Sequence, residues 1–143
     1  MKRILLLNGP NLNRLGSREE DIYGTFNIQD IEQSVSELLK TYHYEMDSFQ
    51  SNHEGELIDR IQVADEKYDG IIFNPGAYTH TSIALHDAIK SILTPVIEVH
   101  ISNIYNRESF RRTSMTAPAC IGQIAGFGIK SYRLAALAFI KES

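Results

Sequence analysis

Within "VIEVHIS" (96–102) an acid and an imidazole, Glu98 and His100, stand two residues apart in an otherwise apolar, β-branched run. Strand side chains alternate between faces, so the two point the same way, with backbones roughly 7 Å apart. A carboxylate beside an imidazole orients it and raises its pKa, which makes a competent general acid near neutrality. The same pattern also fits a satisfied Glu–His pair in a core, and the strand by itself leaves both readings open. "GSREEDIYGTF" (16–26) is long and charged for a strand-to-helix connection, as lids and binding loops often are, and it holds Arg18 and Tyr23. "NRESFRR" (106–112) sets Arg107 and Arg111 four apart, hence on one face of a helix. An arginine there would take a carboxylate in bidentate fashion. Taken singly, a solvated loop and a surface helix are the favoured readings of these two segments.

Other chemistries lack their residues. There is no GxGxxG and no GxxxxGK[ST], which speaks against dinucleotide and P-loop sites. No serine sits in a G-x-S-x-G elbow. His80 and His86 are six apart and do not share a helix face, so a zinc site of the H-E-x-x-H kind is not expected. No lysine ends strands one to four; Lys130, after strand five, is the sole weak candidate for a Schiff base.

The elements that must position these residues alternate. Strands are expected at 3–8 ("RILLLN"), 44–50, 70–74, 95–101 and 120–127. Helices are expected at 28–41, 55–68, 81–92 and 130–141, with a short polar helix at 106–112. The first helix places Ile28, Ile31, Val35 and Leu38 on one face behind Asn27 as N-cap. Leu57, Ile61, Ala64 and Tyr68 do the same in the second. Leu85, Ala88, Ile89 and Ile92 face inward in the third, and Tyr132, Ala135, Ala136 and Phe139 in the last. Five rounds of strand and helix mean a parallel sheet covered on both faces, with the flavodoxin-like order 2-1-3-4-5. In such sheets ligands bind beyond the carboxyl ends of the strands. Those ends read "NGPNLN", "QSNHEG", "NPGAYTH" and "HISN": fixed hydrogen-bonding groups with little net charge. Gathered at one edge, they form a polar pocket for an oxygen-rich small molecule, and they tip the Glu98–His100 pair toward function.

Bulk properties agree with a single α/β domain, residues 1–143. A net charge of −4 without a basic block gives no pull toward nucleic acid. The only cysteine is Cys120, so no internal disulfide forms; a buried apolar role is expected for it. No apolar run approaches the ~20 residues that span a bilayer. The four-residue "ILLL" after Met-Lys-Arg is shorter than the roughly 7–15 of a signal peptide, so a cytoplasmic protein is expected.

"NGPNLNRLGSREEDIYGT", "QSNHEGELIDRI", "NPGAYTHTSIALHDAI", "VIEVHISNIYNRESFRR" and "TAPACIGQIAGFGIKSYRLAAL" together closely resemble type II 3-dehydroquinate dehydratases, in order and spacing and nearly end to end. The resemblance implies a flavodoxin-like fold and a twelve-subunit assembly of four trimers. It also implies a cofactor-free trans elimination of water from 3-dehydroquinate in the shikimate or quinate pathway. By resemblance, Tyr23 is the base at C2, with Arg18 beside it in a lid. His100 is the acid at the departing C1 hydroxyl, oriented by Glu98, and Asn11 helps to stabilise the enolate. Asn74, His80, the backbone at Ile101, Ser102 and Arg111 hold substrate, and Asp87 approaches from an adjacent subunit. One departure is Glu20, where the family commonly has proline; it implies a looser, more acidic lid.

The rival class is a non-catalytic flavodoxin-like module. A flavin carrier would want a Ser/Thr-rich phosphate loop after strand one, and a receiver an aspartate at the end of strand three. "NGPNLN" and Asn74 stand there instead.

Overall fold

The computed structural model describes residues 1–16 and 26–141. Strand β1 (Lys2–Asn8) explains the middle of the molecule. Ile4, Leu5, Leu6 and Leu7 are all fully buried, which a strand achieves only when both faces are covered. Alternation divides them. Leu5 and Leu7 meet helices α2 (Glu54–Ala64) and α3 (Ile83–Lys90) on one side. Ile4 and Leu6 meet α1 (Ile28–Thr41) and α4 (Lys130–Phe139) on the other. With β2 (Tyr44–Gln50), β3 (Gly70–Asn74), β4 (Val96–His100) and β5 (Gly122–Ala125), the sheet runs β2-β1-β3-β4-β5, every pair parallel. The flavodoxin-like α/β order expected from the alternation is therefore observed.

The helices start where their caps are. Asn27 accepts from the Asp30 N–H at 2.9 Å, and Asp30 accepts from the Asn27 N–H at 3.0 Å. This reciprocal box satisfies two of the four free donors of α1. Ser82 Oγ accepts the Leu85 N–H at 2.9 Å and opens α3.

Four sequence expectations are corrected. The buried stripe of α1 is Ile28, Ile31, Val35 and Leu39, with Leu38 only partly covered. Helix α2 stops at Ala64, where Asp65 turns extended (ψ 135°) and Glu66 then left-handed (φ 66°); Tyr68 still reaches the core from the following turn. The inward stripe of α3 ends at Ile89, since the helix closes at Lys90 and Ile92 is only partly buried. The polar helix expected at 106–112 does not form. Arg107 is extended (φ −116°, ψ −164°) and separates two 3-10 turns, Ile104–Asn106 and Ser109–Arg111.

Position is what this fold supplies to a site. Asn8 is level with both Gln50 and Asn74, and His100 with Ala125, so the carboxyl ends of the strands form one edge. Between β1 and β3 the chain order reverses, and the two strand exits touch. A Cβ on Gly9 would lie 2.4 Å from the Pro75 carbonyl oxygen, so only glycine admits the approach. Gly76 (φ +62°) then turns the β3 exit away, over Pro10.

Candidate active site

A cavity of about 640 Å³ opens beyond this edge, at the switch point. Seven of the residues singled out from the sequence line it: Asn11, Asn74, His80, His100, Ile101, Ser102 and Arg111. They arrive from the exits of β1, β3 and β4 and from the second 3-10 turn. Arg107 lines it as well, so the two arginines share the cavity although they share no helix. Glu98 lies behind His100 and is itself fully buried. Asp87 is elsewhere: its side chain is largely exposed on α3 and, among the described residues, pairs with the neighbouring His86, Nδ1 to Oδ1 at 3.1 Å. Arg18, Glu20 and Tyr23 lie outside the described residues.

The Glu98–His100 pair has defined geometry. His100 Nε2 lies 2.9 Å from Glu98 Oε2, and since a carboxylate only accepts, Nε2 carries the hydrogen. That leaves Nδ1 for the cavity. Burial would raise the Glu98 pKa, but hydrogen bonds from His100, Thr116 and Gln123, together with the His100 charge, bring it below the ordinary carboxylate value. A carboxylate depressed on folding stabilises the fold above its unfolded value, and that stabilisation is lost as pH falls through the folded value. Thermal midpoints are therefore expected to decline on the acid side below about pH 4.5, the ordinary glutamate value, and less steeply in Glu98→Gln. A scan of midpoint against pH with equal acid slopes in both proteins would contradict this.

Each lining group has its own posture. His80 Nδ1 donates to the Thr113 carbonyl at 2.8 Å, which turns Nε2 toward the remaining space. Burial most of all, with the nearby His100 and Arg111 charges, pushes its pKa down, against the raising effects of the Thr113 hydrogen bond and the Glu98 charge. At neutral pH it is thus an uncharged hydrogen-bonding group. Asn11 is left-handed at φ 69°; its N–H is held by Asn52 Oδ1 at 3.0 Å, and its side chain makes no capping bond. Asn74 is partly committed: Oδ1 accepts from Gly76 N–H at 3.0 Å and Nδ2 donates to Tyr132 Oη at 2.9 Å. The Tyr132 hydroxyl in turn donates to Asn8 Oδ1 at 2.6 Å, a buried chain tying β1 to β3 through α4. Arg111 is steadied through Nε by Glu108 at 3.2 Å, which does not engage its terminal nitrogens. Among the described residues no acid lines the cavity, while Arg14, Arg107 and Arg111 do, so the site suits an anion rich in oxygen. Burial and the Glu98 charge push the Cys120 thiol up to about 12, so it stays neutral.

Sequence reasoning missed Asn52, which holds Asn11 from the β2 exit, and Ser114, Thr116 and Gln123, which hold Glu98. For Asn52 there was a signal, since "QSNHEG" ends a strand at the functional edge. For the other three there was none before the fold was known. A second depression, of about 460 Å³, lies at the opposite edge of the sheet and includes none of the candidate site residues.

Known proteins agree with this arrangement. The family model described as "Dehydroquinase class II" matches residues 2–140. The chain is 60% identical over 143 residues to the 3-dehydroquinate dehydratase of Caldicellulosiruptor saccharolyticus, covering 99% of this chain and 98% of that one. It is 55% identical over 142 residues to that of Bacillus cereus, with 99% and 97% covered. The crystal structure of type II dehydroquinase from Butyrivibrio crossotus superposes with a TM-score of 0.95 at 48% identity, 98% of each chain being covered. Sequence and fold thus match from end to end, and the chain belongs to the class II dehydroquinase family.

Proposed function

We propose that the protein is a 3-dehydroquinate dehydratase that removes water from 3-dehydroquinate by trans elimination through an enolate, without a cofactor. Family membership carries the reaction, and the buried Glu98–His100 pair at the cavity wall supports its acid half. The reaction needs three things. A base takes a proton from C2, alpha to the carbonyl, and the charge moves to the carbonyl oxygen as an enolate. Donors must meet that oxygen. An acid must then protonate the C1 hydroxyl as its bond breaks, leaving a conjugated enone.

Tyr23 is the proposed base, and Arg18 is proposed as the cation that stabilises its anion. The uncapped amide of Asn11 serves the enolate. His100 delivers the proton from Nδ1 and keeps the one on Nε2 toward Glu98, so it leaves the step neutral and still oriented. His80, Asn74, Ser102 and the Ile101 backbone address the hydroxyls, and Arg111 the carboxylate. Nothing in the cavity or the family favours a non-catalytic flavodoxin-like module. The direct test is enone absorbance on mixing purified protein with 3-dehydroquinate, before and after exhaustive EDTA treatment. Equal activity is expected; activity lost to EDTA and restored by zinc or magnesium would refute the cofactor-free route.

Residues 1–143 act in this reading as one catalytic domain, cytoplasmic, with neither nucleic acid nor membrane as partner. Among the described residues no helix is long and apolar enough to cross a membrane. The assembly is a dodecamer of four trimers, in which Asp87 completes a neighbour's site. Its outward, exposed carboxylate supports this, because it serves nothing in its own cavity. Asp87→Ala is expected to weaken activity without preventing assembly. Equal mixtures with Tyr23→Phe chains should then regain activity, since about a quarter of the sites in a closed ring pair an intact Tyr23 with a neighbour's intact Asp87. Activity equal to the mean of the two pure mutants, with subunit exchange confirmed by mass spectrometry, would remove Asp87 from the site.

A further inference from the structure

Glu98 is held more completely than ion pairing with His100 requires. Oε2 accepts from His100 Nε2 at 2.9 Å, Gln123 Nε2 at 2.7 Å and Ser114 Oγ at 2.9 Å. Oε1 accepts from Thr116 Oγ1 and, at 3.1 Å, from Ser114 Oγ. These donors come from three places in the chain: β4 itself, the 114–117 turn, and β5. The Ser114 proton has little choice of direction. Its oxygen already accepts the N–H groups of Thr116 at 3.2 Å and Ala117 at 2.9 Å, so the single hydroxyl hydrogen is directed to the carboxylate.

Such a ring of donors has a chemical consequence for the imidazole. An ionised carboxylate presents acceptors only, so the histidine nitrogen that faces it must bear hydrogen. A protonated Glu98 would set a donor against donors, and its hydroxyl could instead hand a hydrogen to Nε2, which would leave the ring with its hydrogen on Nδ1. We infer that Thr116 and Gln123, together with Ser114, are positioning residues of the reaction: by surrounding Glu98 with donors they keep it an acceptor and hold one hydrogen of His100 on Nε2, so that Nδ1, toward the cavity, is the nitrogen that takes up and passes on the reacting proton. The inference rests on His100 being the acid. The alternative is plain satisfaction of a buried carboxylate, which would affect stability and not the state of the ring.

Thr116→Val and Gln123→Met remove a donor each at nearly constant volume, and Thr116→Ser restores the hydroxyl. Two readouts separate the roles in the intact protein. Solid-state 15N NMR of histidine-labelled protein without substrate, with the His100 signals identified by their loss in His100→Ala, reports the tautomer. Steady-state kinetics on 3-dehydroquinate reports kcat and KM. Wild type and Thr116→Ser should show the Nε2–H form and the same kcat. Each single variant, and more so the pair, should show a second population with hydrogen on Nδ1, and kcat down about tenfold or more with KM within about twofold. A ring that keeps only the Nε2–H form in the double variant overturns the inference. So does a changed tautomer with unchanged kcat, or a kcat loss that Thr116→Ser shares. The NMR arm needs no turnover, so a wild-type protein inactive on 3-dehydroquinate would refute the proposed reaction while the tautomer still decides the donor ring.

Discussion

Tyr23→Phe is expected to abolish turnover almost entirely, with binding of substrate largely retained. A free phenol titrates near 10, so only ~0.1% is ionised at pH 7, equivalent to about 4 kcal/mol. A cation held at ~4 Å contributes about 4 kcal/mol at an effective dielectric of ~20, before desolvation is subtracted. On the proposed reading Arg18 is the cation that would offset much of the cost of making the tyrosine a base, and Arg18→Ala should be nearly as damaging. Both variants would keep Glu98, His100 and Arg111, so KM should move far less than kcat. Single-turnover kinetics with a tightly binding substrate analogue as competitor measures the two separately. A Tyr23→Phe enzyme with near wild-type kcat would remove Tyr23 from the base role.

His100→Ala is expected to lower kcat by 10²–10⁴, the usual contribution of a positioned acid. The protein should still fold. His100 ends β4 at the cavity, and Glu98 keeps Ser114, Thr116 and Gln123 as partners when the imidazole is removed. Loss of one charge-assisted bond costs about 1.5–3 kcal/mol, so a lowered thermal midpoint should accompany the lost activity without unfolding. If enolate formation precedes loss of water, exchange of the C2 hydrogen with deuterated solvent survives in the variant while enone production stops. An enzyme that still forms enone at the wild-type rate would place the acid elsewhere.

Much of this could be read from residue order. The continuous burial of β1 was legible in "RILLLN", because only a strand covered on both faces tolerates an unbroken apolar run. The shared face of Glu98 and His100 followed from the two-residue period of a strand, and the structure brings them to 2.9 Å. The clustering of Asn11, Asn74, His80 and His100 around one cavity followed from the rule that parallel sheets bind ligands at their carboxyl edge. Local chemistry was less dependable. Arg107 and Arg111 were placed on one helix by their spacing; an extended Arg107 breaks that helix, and tertiary packing brings both to the cavity regardless.

What the residues determine by themselves here is periodic or local: strand faces, the Asn27 cap, and which side of the sheet is polar. Sequence resemblance adds the family, and the full-length match to known dehydroquinases establishes it. Contacts between distant segments are a different matter. Gln123 reaches Glu98 across 25 residues, and Tyr132 reaches Asn74 across 58 and Asn8 across 124. No period or propensity encodes such meetings. They arise because a buried polar group must find a partner, and only the packed sheet decides which donor stands within 3 Å of it.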